Sequence, residues 1–192
     1  MPDSAGVVPD ARGCPSRAEA ESLARELLWD HGTRWPHVQT AGFVATGVAH
    51  LFDADEAALL VAAATLHDIG YSARLRQTGF HPLDGALHLR ALGYPVRLAG
   101  LVAHHSWAVL TAPQHGVHNL TDQFPQELSL LADALVYADM HAAPQGGVIS
   151  PDKRLVDIAG RHQHPVQATR ADLIRASIRR VQEEIRSAPG PH

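Results

Sequence analysis

Apolar residues recur along the chain at helical spacing, and short polar breaks rich in proline, glycine and aspartate separate the runs. The first run follows Ser16, which can cap a helix to about Asp30, with Glu19 placed to complete a capping box. A second helix is predicted from about Pro36 to Phe52, with Val38, Ala41, Val44, Ala45 and Val48 along one face. Asp53 or Asp55 opens a third, apolar from Leu59 to Leu66 and ending near Asp68-Ile69-Gly70. His81-Pro82 opens a fourth that stops at Gly93, since proline suits the first helical position and glycine the exit. Pro95 opens a fifth that reaches about His105. From Trp107 to Phe124 the pattern is irregular, or a short helix plus loop. Pro125 to about His141 reads as a helix, followed by the loop Ala143-Pro144-Gln145-Gly146-Gly147. Ser150-Pro151 starts another to about His162, and Pro165 a last amphipathic helix to about Arg186. With no β-alternation and no internal repeat, the expected fold is an all-α bundle around one core. It spans residues 16–187, between flexible tails at 1–15 and 188–192.

Composition narrows the class. A chain of 192 residues with 45% hydrophobic and 19% charged residues suits one globular domain. A net charge of -4 offers no basic footprint for nucleic acid or an anionic membrane. Cys14 is the sole cysteine, which excludes an intrachain disulfide and a thiolate metal cluster. Residues Met1 to Pro15 lack the basic and apolar regions of a secretory signal, and the run Ala57–Leu66 is too short to span a membrane. A soluble cytoplasmic protein is expected; a homodimer is left open. The 14 histidines nearly match the 16 lysines and arginines, and imidazole is the commonest metal ligand, so metal chemistry comes first.

His67-Asp68 closes the most apolar helix. An ionised aspartate there is costly to desolvate unless a cation or partner meets it. Adjacent helical residues point about 100° apart, so the two flank one site, with the carboxylate reaching towards a second ion. Asp139 shares its face with Ala132, Leu135 and Val136 and so points into the core, as a ligand or as a buried aspartate satisfied by backbone or arginine. His37 faces inward in step with Ala41, Val44 and Val48. Arg34, one turn earlier, reads as a contact to an anionic substrate or as a surface cation. His105 shares the apolar face of Leu98, Leu101 and Val102; His104 is rotated to the rim, as a further ligand or a substrate contact. His81, at a helix start with Gly85 one turn on, can approach an ion closely, and His88 on the same face is its rival.

The order His37, then His67-Asp68, then Asp139, with His81 and His104-His105 between, resembles the HD-domain superfamily of metal-dependent phosphohydrolases. Leu66-His67-Asp68-Ile69-Gly70 is its heart, and the resemblance covers roughly residues 20 to 160. It implies that His37, His67, Asp68 and Asp139 hold one metal. It also implies a second held by His81 and one or both of His104 and His105, with Asp68 as the bridge. Gly93-Tyr94-Pro95 spells a tripeptide of the cyclic-dinucleotide phosphodiesterase branch, but it precedes the paired histidines instead of following them. Its simpler role is to stop one helix and start the next. The layout is closer to small bacterial HD hydrolases, including those similar to dinucleoside tetraphosphate hydrolases.

The implied activity is hydrolysis of a phosphate ester or anhydride in a small molecule, preferentially a nucleotide, with His67 and Asp68 catalytic. One or two divalent ions from the set Fe, Mn, Co, Ni and Zn suit the mixed His/carboxylate donors. They would lower the pKa of a bridging water and hold phosphoryl oxygens. Arg34, with Arg74 or Arg76, is a candidate to neutralise the remaining charge. Lys153 and Arg154, just after Ser150-Pro151, are candidate phosphate contacts or plain surface residues. Two other classes stay open: a diiron oxygenase with the same ligands cleaving a carbon–carbon or carbon–phosphorus bond, and a non-catalytic, metal-stabilised nucleotide-binding module.

Overall fold

Ser16 starts the first helix by the predicted device: its hydroxyl accepts from the Glu19 backbone N–H while the Glu19 carboxylate accepts from the Ser16 N–H. The computed structural model describes residues 12–161 and 164–188. Most of the expected tails and the expected helix end at His162 lie outside these residues. Among the described residues nine α-helices follow in order: α1 (Arg17–Leu28), α2 (Arg34–Val48), α3 (Ala54–Leu66), α4 (His81–Ala91), α5 (Val96–His104), α6 (Leu120–Gln123), α7 (Leu130–His141), α8 (Pro151–Arg161) and α9 (Val166–Ser187). Among the described residues there is no strand, only an isolated bridge between Ala142 and Val148. The protein is an all-α bundle.

Helix α3 explains the layout. Asp53 caps it by accepting from the Glu56 N–H, and from Leu59 to Leu66 every residue is buried. A helix apolar on all sides belongs at the centre, and α1, α2, α5 and α7 pack around it. The chain therefore delivers His67 and Asp68 into the interior, where a short 3-10 turn over Ile69–Tyr71 carries it out again. Gly70 in that turn packs directly against the first turn of α4. A smaller apolar cluster of Val136, Met140, Leu155, Ile174 and Ile178 joins α7, α8 and α9 on one flank.

Several boundaries differ from expectation. Helix α2 begins at Arg34, with Pro36 in its first turn, where a missing N–H breaks no intrahelical bond. Helix α7 begins at Leu130, not Pro125, because Ser129 supplies the cap by accepting from the Ala132 N–H. The irregular stretch resolves into 3-10 turns over His105–Leu110 and Ala112–His115 and the four-residue α6. Gly93 leaves α4 at φ 76°, the left-handed exit its type allows. Arg12, within the expected N-terminal tail, donates its N–H to the Gly93 carbonyl at 3.0 Å.

Candidate metal centre

Four elements converge on the end of α3. Helix α2 contributes His37, α7 contributes Asp139, the first residue of α4 is His81, and the residue after α5 is His105. His37, His67, Asp68, His105 and Asp139 are buried, and His81 is partly exposed. His37 Nε2 lies 3.2 Å from His67 Nε2 and 3.1 Å from Asp139 Oδ1. Asp68 divides its oxygens between two sides. Oδ2 faces His37 Nε2 at 3.7 Å, whereas Oδ1 faces His81 at 3.3 Å, His67 at 3.6 Å and His105 at 3.7 Å. His81 and His105 bring their Nε2 atoms within 3.4 Å.

Backbone carbonyls set the ring orientations. His67 donates Nδ1–H to the Ala64 carbonyl at 2.8 Å, and His105 donates Nδ1–H to Val102 at 2.7 Å. In the neutral ring each Nε2 is then a bare lone pair aimed into the cluster, the tautomer a metal ligand needs. His37 Nδ1 has no hydrogen-bond partner among the described residues. Bonds of about 2.0–2.2 Å in a tetrahedral or octahedral sphere space neighbouring donors by about 2.8–3.6 Å. The separations of 3.1–3.7 Å here fall within about 0.1 Å of that range. Two buried triads, His37/His67/Asp139 and His67/Asp68/His105, are thus disposed to hold a metal ion.

Electrostatics keep the donors ready. Burial alone would raise the Asp68 carboxyl, but His67, the bond from His81 and the Arg34 charge outweigh it and hold the group well below the ordinary carboxylate range. Asp139 behaves alike: burial opposes ionisation, and the bond from His37 with the charges of His67, His37 and Arg154 overcomes it. Burial, reinforced by repulsion from His67 and His81, pushes His105 down to about 3, so its ring is neutral at physiological pH. His81 is also lowered by burial, against the pull of Asp68.

Around the donors lies a cleft of about 440 Å³. Arg34 donates to Asp68 Oδ2 at 2.8 Å and lies 3.8 Å over the Tyr71 ring, whose other face stacks on His81 at 3.9 Å. This layered stack fixes the one partly exposed histidine. Burial pushes the Tyr71 hydroxyl up to about 12, so it stays a phenol and a hydrogen-bond donor. Arg154 is buried, with Nη2 at 3.8 Å from Asp139 Oδ1.

The structure brings His37, His67, Asp68, His81, His105, Asp139, Arg34 and Arg154 together, and leaves other candidates out. His104 is turned away from the cluster: its Nε2–H donates to the Phe124 carbonyl at 2.8 Å, so His105 alone of the pair faces the centre. Arg74 pairs with Glu26 at 3.0 Å on the surface, while Arg76 reaches the rim of the cleft. Lys153 is exposed beside the loop after α7, because one residue along α8 turns Arg154 inward and Lys153 outward. His88 lies half-buried in the field of Arg74 and Glu26, leaving His81 as the α4 donor.

Three contributors escaped the sequence reading. Tyr71 directly follows the central motif. Arg170 lies in register with Ile174, Ser177, Ile178 and Val181 on the buried stripe of α9, a visible signal for an inward cation. Ser106 had no signal. It and Trp107 take left-handed conformations, with φ 49° and 59°, a strained pair that non-glycine residues rarely adopt. In that conformation the Ser106 hydroxyl donates to Asp139 Oδ2 at 2.5 Å while its carbonyl accepts from Arg170 Nε at 2.7 Å. Trp107 Nε1–H donates to Ser177 Oγ at 3.2 Å and ties the strained segment to α9. Ser106→Ala is expected to weaken metal binding about 10- to 100-fold, as loss of a group orienting a ligand does. Ser106→Gly should weaken it equally while relieving the backbone strain. A metal titration paired with thermal melting checks this, and equal metal affinity in wild type and both variants would refute the role.

No protein-family model, curated protein or solved structure matches the chain.

Proposed function

We propose that the protein is a metal-dependent phosphohydrolase acting on a phosphate ester or anhydride of a small molecule, with a nucleotide the favoured class. The observation that carries this reading is the division of Asp68: one oxygen faces His37, the other faces His67, His81 and His105, at the floor of an arginine-walled cleft. The resemblance of the ordered ligand set to HD-domain phosphohydrolases supports it.

His37, His67, Asp68 and Asp139 would hold one ion, and His81 and His105, with Asp68 shared, a second. Four imidazoles and two carboxylates suit Mn, Fe, Co, Ni or Zn better than Mg. Such ions supply Lewis acidity and a water ionised near neutral pH. The chain's own groups do the rest. Arg34 places a guanidinium beside Asp68, where phosphoryl charge would develop. Tyr71 stays protonated, so it donates a hydrogen bond and does not act as a base. Ser106 fixes the Asp139 carboxylate, and all the donors but His81 are buried away from bulk water.

The test is phosphate release from a panel of nucleotides and p-nitrophenyl phosphate by protein loaded in turn with each of the five metals. Metal-dependent release that disappears in His67→Ala protein is expected. The histidine-rich donor set would hold a pair of irons equally well, which keeps the oxygenase reading alive. Dioxygen uptake by the reduced, iron-loaded protein, without phosphate release from any substrate, would replace the hydrolase with that reading.

A further inference from the structure

We propose that Arg154 and Arg170 form a second anion subsite in the cleft, and that the substrate accordingly carries at least two phosphoryl groups. One group would sit over the histidine–aspartate centre and the other on this guanidinium pair. The position of the first group rests on the hydrolase reading; the subsite itself does not.

Arg154 is only 6% exposed, and its Nε is buried with no hydrogen-bond partner among the described residues. A buried N–H without an acceptor is unfavourable, and an anion on the fork would supply the acceptors that Asp139 alone does not. Its nearest carboxylate oxygen, Asp139 Oδ1 at 3.8 Å, already receives His37 at 3.1 Å and belongs to the metal-binding triad. Arg170 comes from α9 and uses Nε on the Ser106 carbonyl. Among the described residues its terminal nitrogens bond no carboxylate, which leaves the end of the fork open.

Both guanidiniums line the same cleft as the Arg34–Tyr71–His81 stack. Arg34 itself is engaged by Asp68, so it is not the spare cation. Asp84, the other acid lining the cleft, is satisfied by the Thr78 N–H and hydroxyl and the Gly79 N–H. Arg154 repels Arg170 across the cleft, and the carboxylate nearest to Arg154, Asp139, is already shared with His37, so an anion between the two guanidiniums would relieve the repulsion. A planar fork suits phosphoryl oxygens because it can donate to two at once. A volume of about 440 Å³ admits more than one phosphoryl group.

Calorimetric titration of full-length, metal-loaded protein with methylenebisphosphonate and with methylphosphonate tests the pair. Neither probe has a hydrolysable phosphate bond. The bisphosphonate should bind at least about tenfold tighter. Arg154→Met and Arg170→Met should each remove most of that advantage, read as the ratio of the two affinities within each variant, whatever either does to the metal centre itself. Arg154→Lys and Arg170→Lys, which keep the charge but lose the fork, should give intermediate values and carry the comparison if a methionine variant does not fold. Equal affinity for the two probes, or losses of equal size on both, would overturn the proposal. A bisphosphonate preference in a protein that releases no phosphate from any substrate would uphold the subsite and sink the hydrolase reading. Monoester hydrolysis without that preference would sink the subsite alone.

Discussion

Replacing Asp68 by asparagine is expected to abolish retention of divalent metal and to lower phosphate release by at least about a thousandfold, with the bundle still folded. The amide has nearly the same shape and still accepts from Arg34, so the packing around α3 survives. What it lacks is the charge and the second anionic oxygen. Asp68 is the one residue whose two oxygens address both histidine groups, His37 on one side and His67, His81 and His105 on the other. Asp68→Ala should add a stability loss of about 3–5 kcal/mol, because it leaves the partly buried Arg34 guanidinium without its counter-charge. Metal analysis, phosphate release and denaturant melts on the two variants separate the effects. An asparagine variant with wild-type metal content would contradict the bridging role.

Gly70→Ala should be the most damaging single methyl in the fold. A Cβ there would stand 1.9 Å from the His81 carbonyl oxygen, 2.6 Å from the Gly85 nitrogen and 2.8 Å from the His81 carbonyl carbon. All three atoms are backbone, so no rotamer change relieves the clash, and the first turn of α4 must move as a unit. That turn carries His81, so metal affinity should fall together with stability, the latter by about 3 kcal/mol or more. Gly42→Ala makes a useful contrast: its Cβ would meet the Thr65 side-chain oxygen at 2.7 Å, a smaller conflict away from the donors. Gly47→Ala meets nothing within 4 Å inside α2 and should stabilise by about 0.5–1 kcal/mol. Melting curves on the three variants give the order directly. A Gly70→Ala protein as stable as wild type would show that the approach of α4 to the Ile69–Tyr71 turn is looser than the structure places it.

Much of the fold is legible because local chemistry and burial agree. Ser16, Asp53 and Pro82 each mark a helix start that the structure keeps, and the all-apolar run to Leu66 correctly announces a central helix. Pro125 is a plausible opening residue, yet α7 starts only at Leu130, where Ser129 supplies the cap. Six of the candidate metal ligands meet: helical phase points His37, Asp139 and His105 inward, while His67, Asp68 and His81 stand at helix ends that abut the same point. His105 was separable from His104 on that ground, and the Phe124 carbonyl that takes His104 is a tertiary contact no periodicity reveals. The arginines divide in the same way. Arg154 and Lys153 are neighbours in sequence, yet one residue of helical rotation sends one inward and the other to solvent. Ser106 stayed hidden because its role depends on a left-handed backbone, which a serine gives no reason to expect.

The most direct test is an anomalous-difference map of crystals grown with manganese, recorded on both sides of a metal absorption edge. The account predicts a strong peak bounded by His37, His67, Asp68 and Asp139, with any second peak on the side of His81 and His105. Well-ordered side chains at these positions with no peak among them, at a manganese concentration that loads other sites, would contradict it.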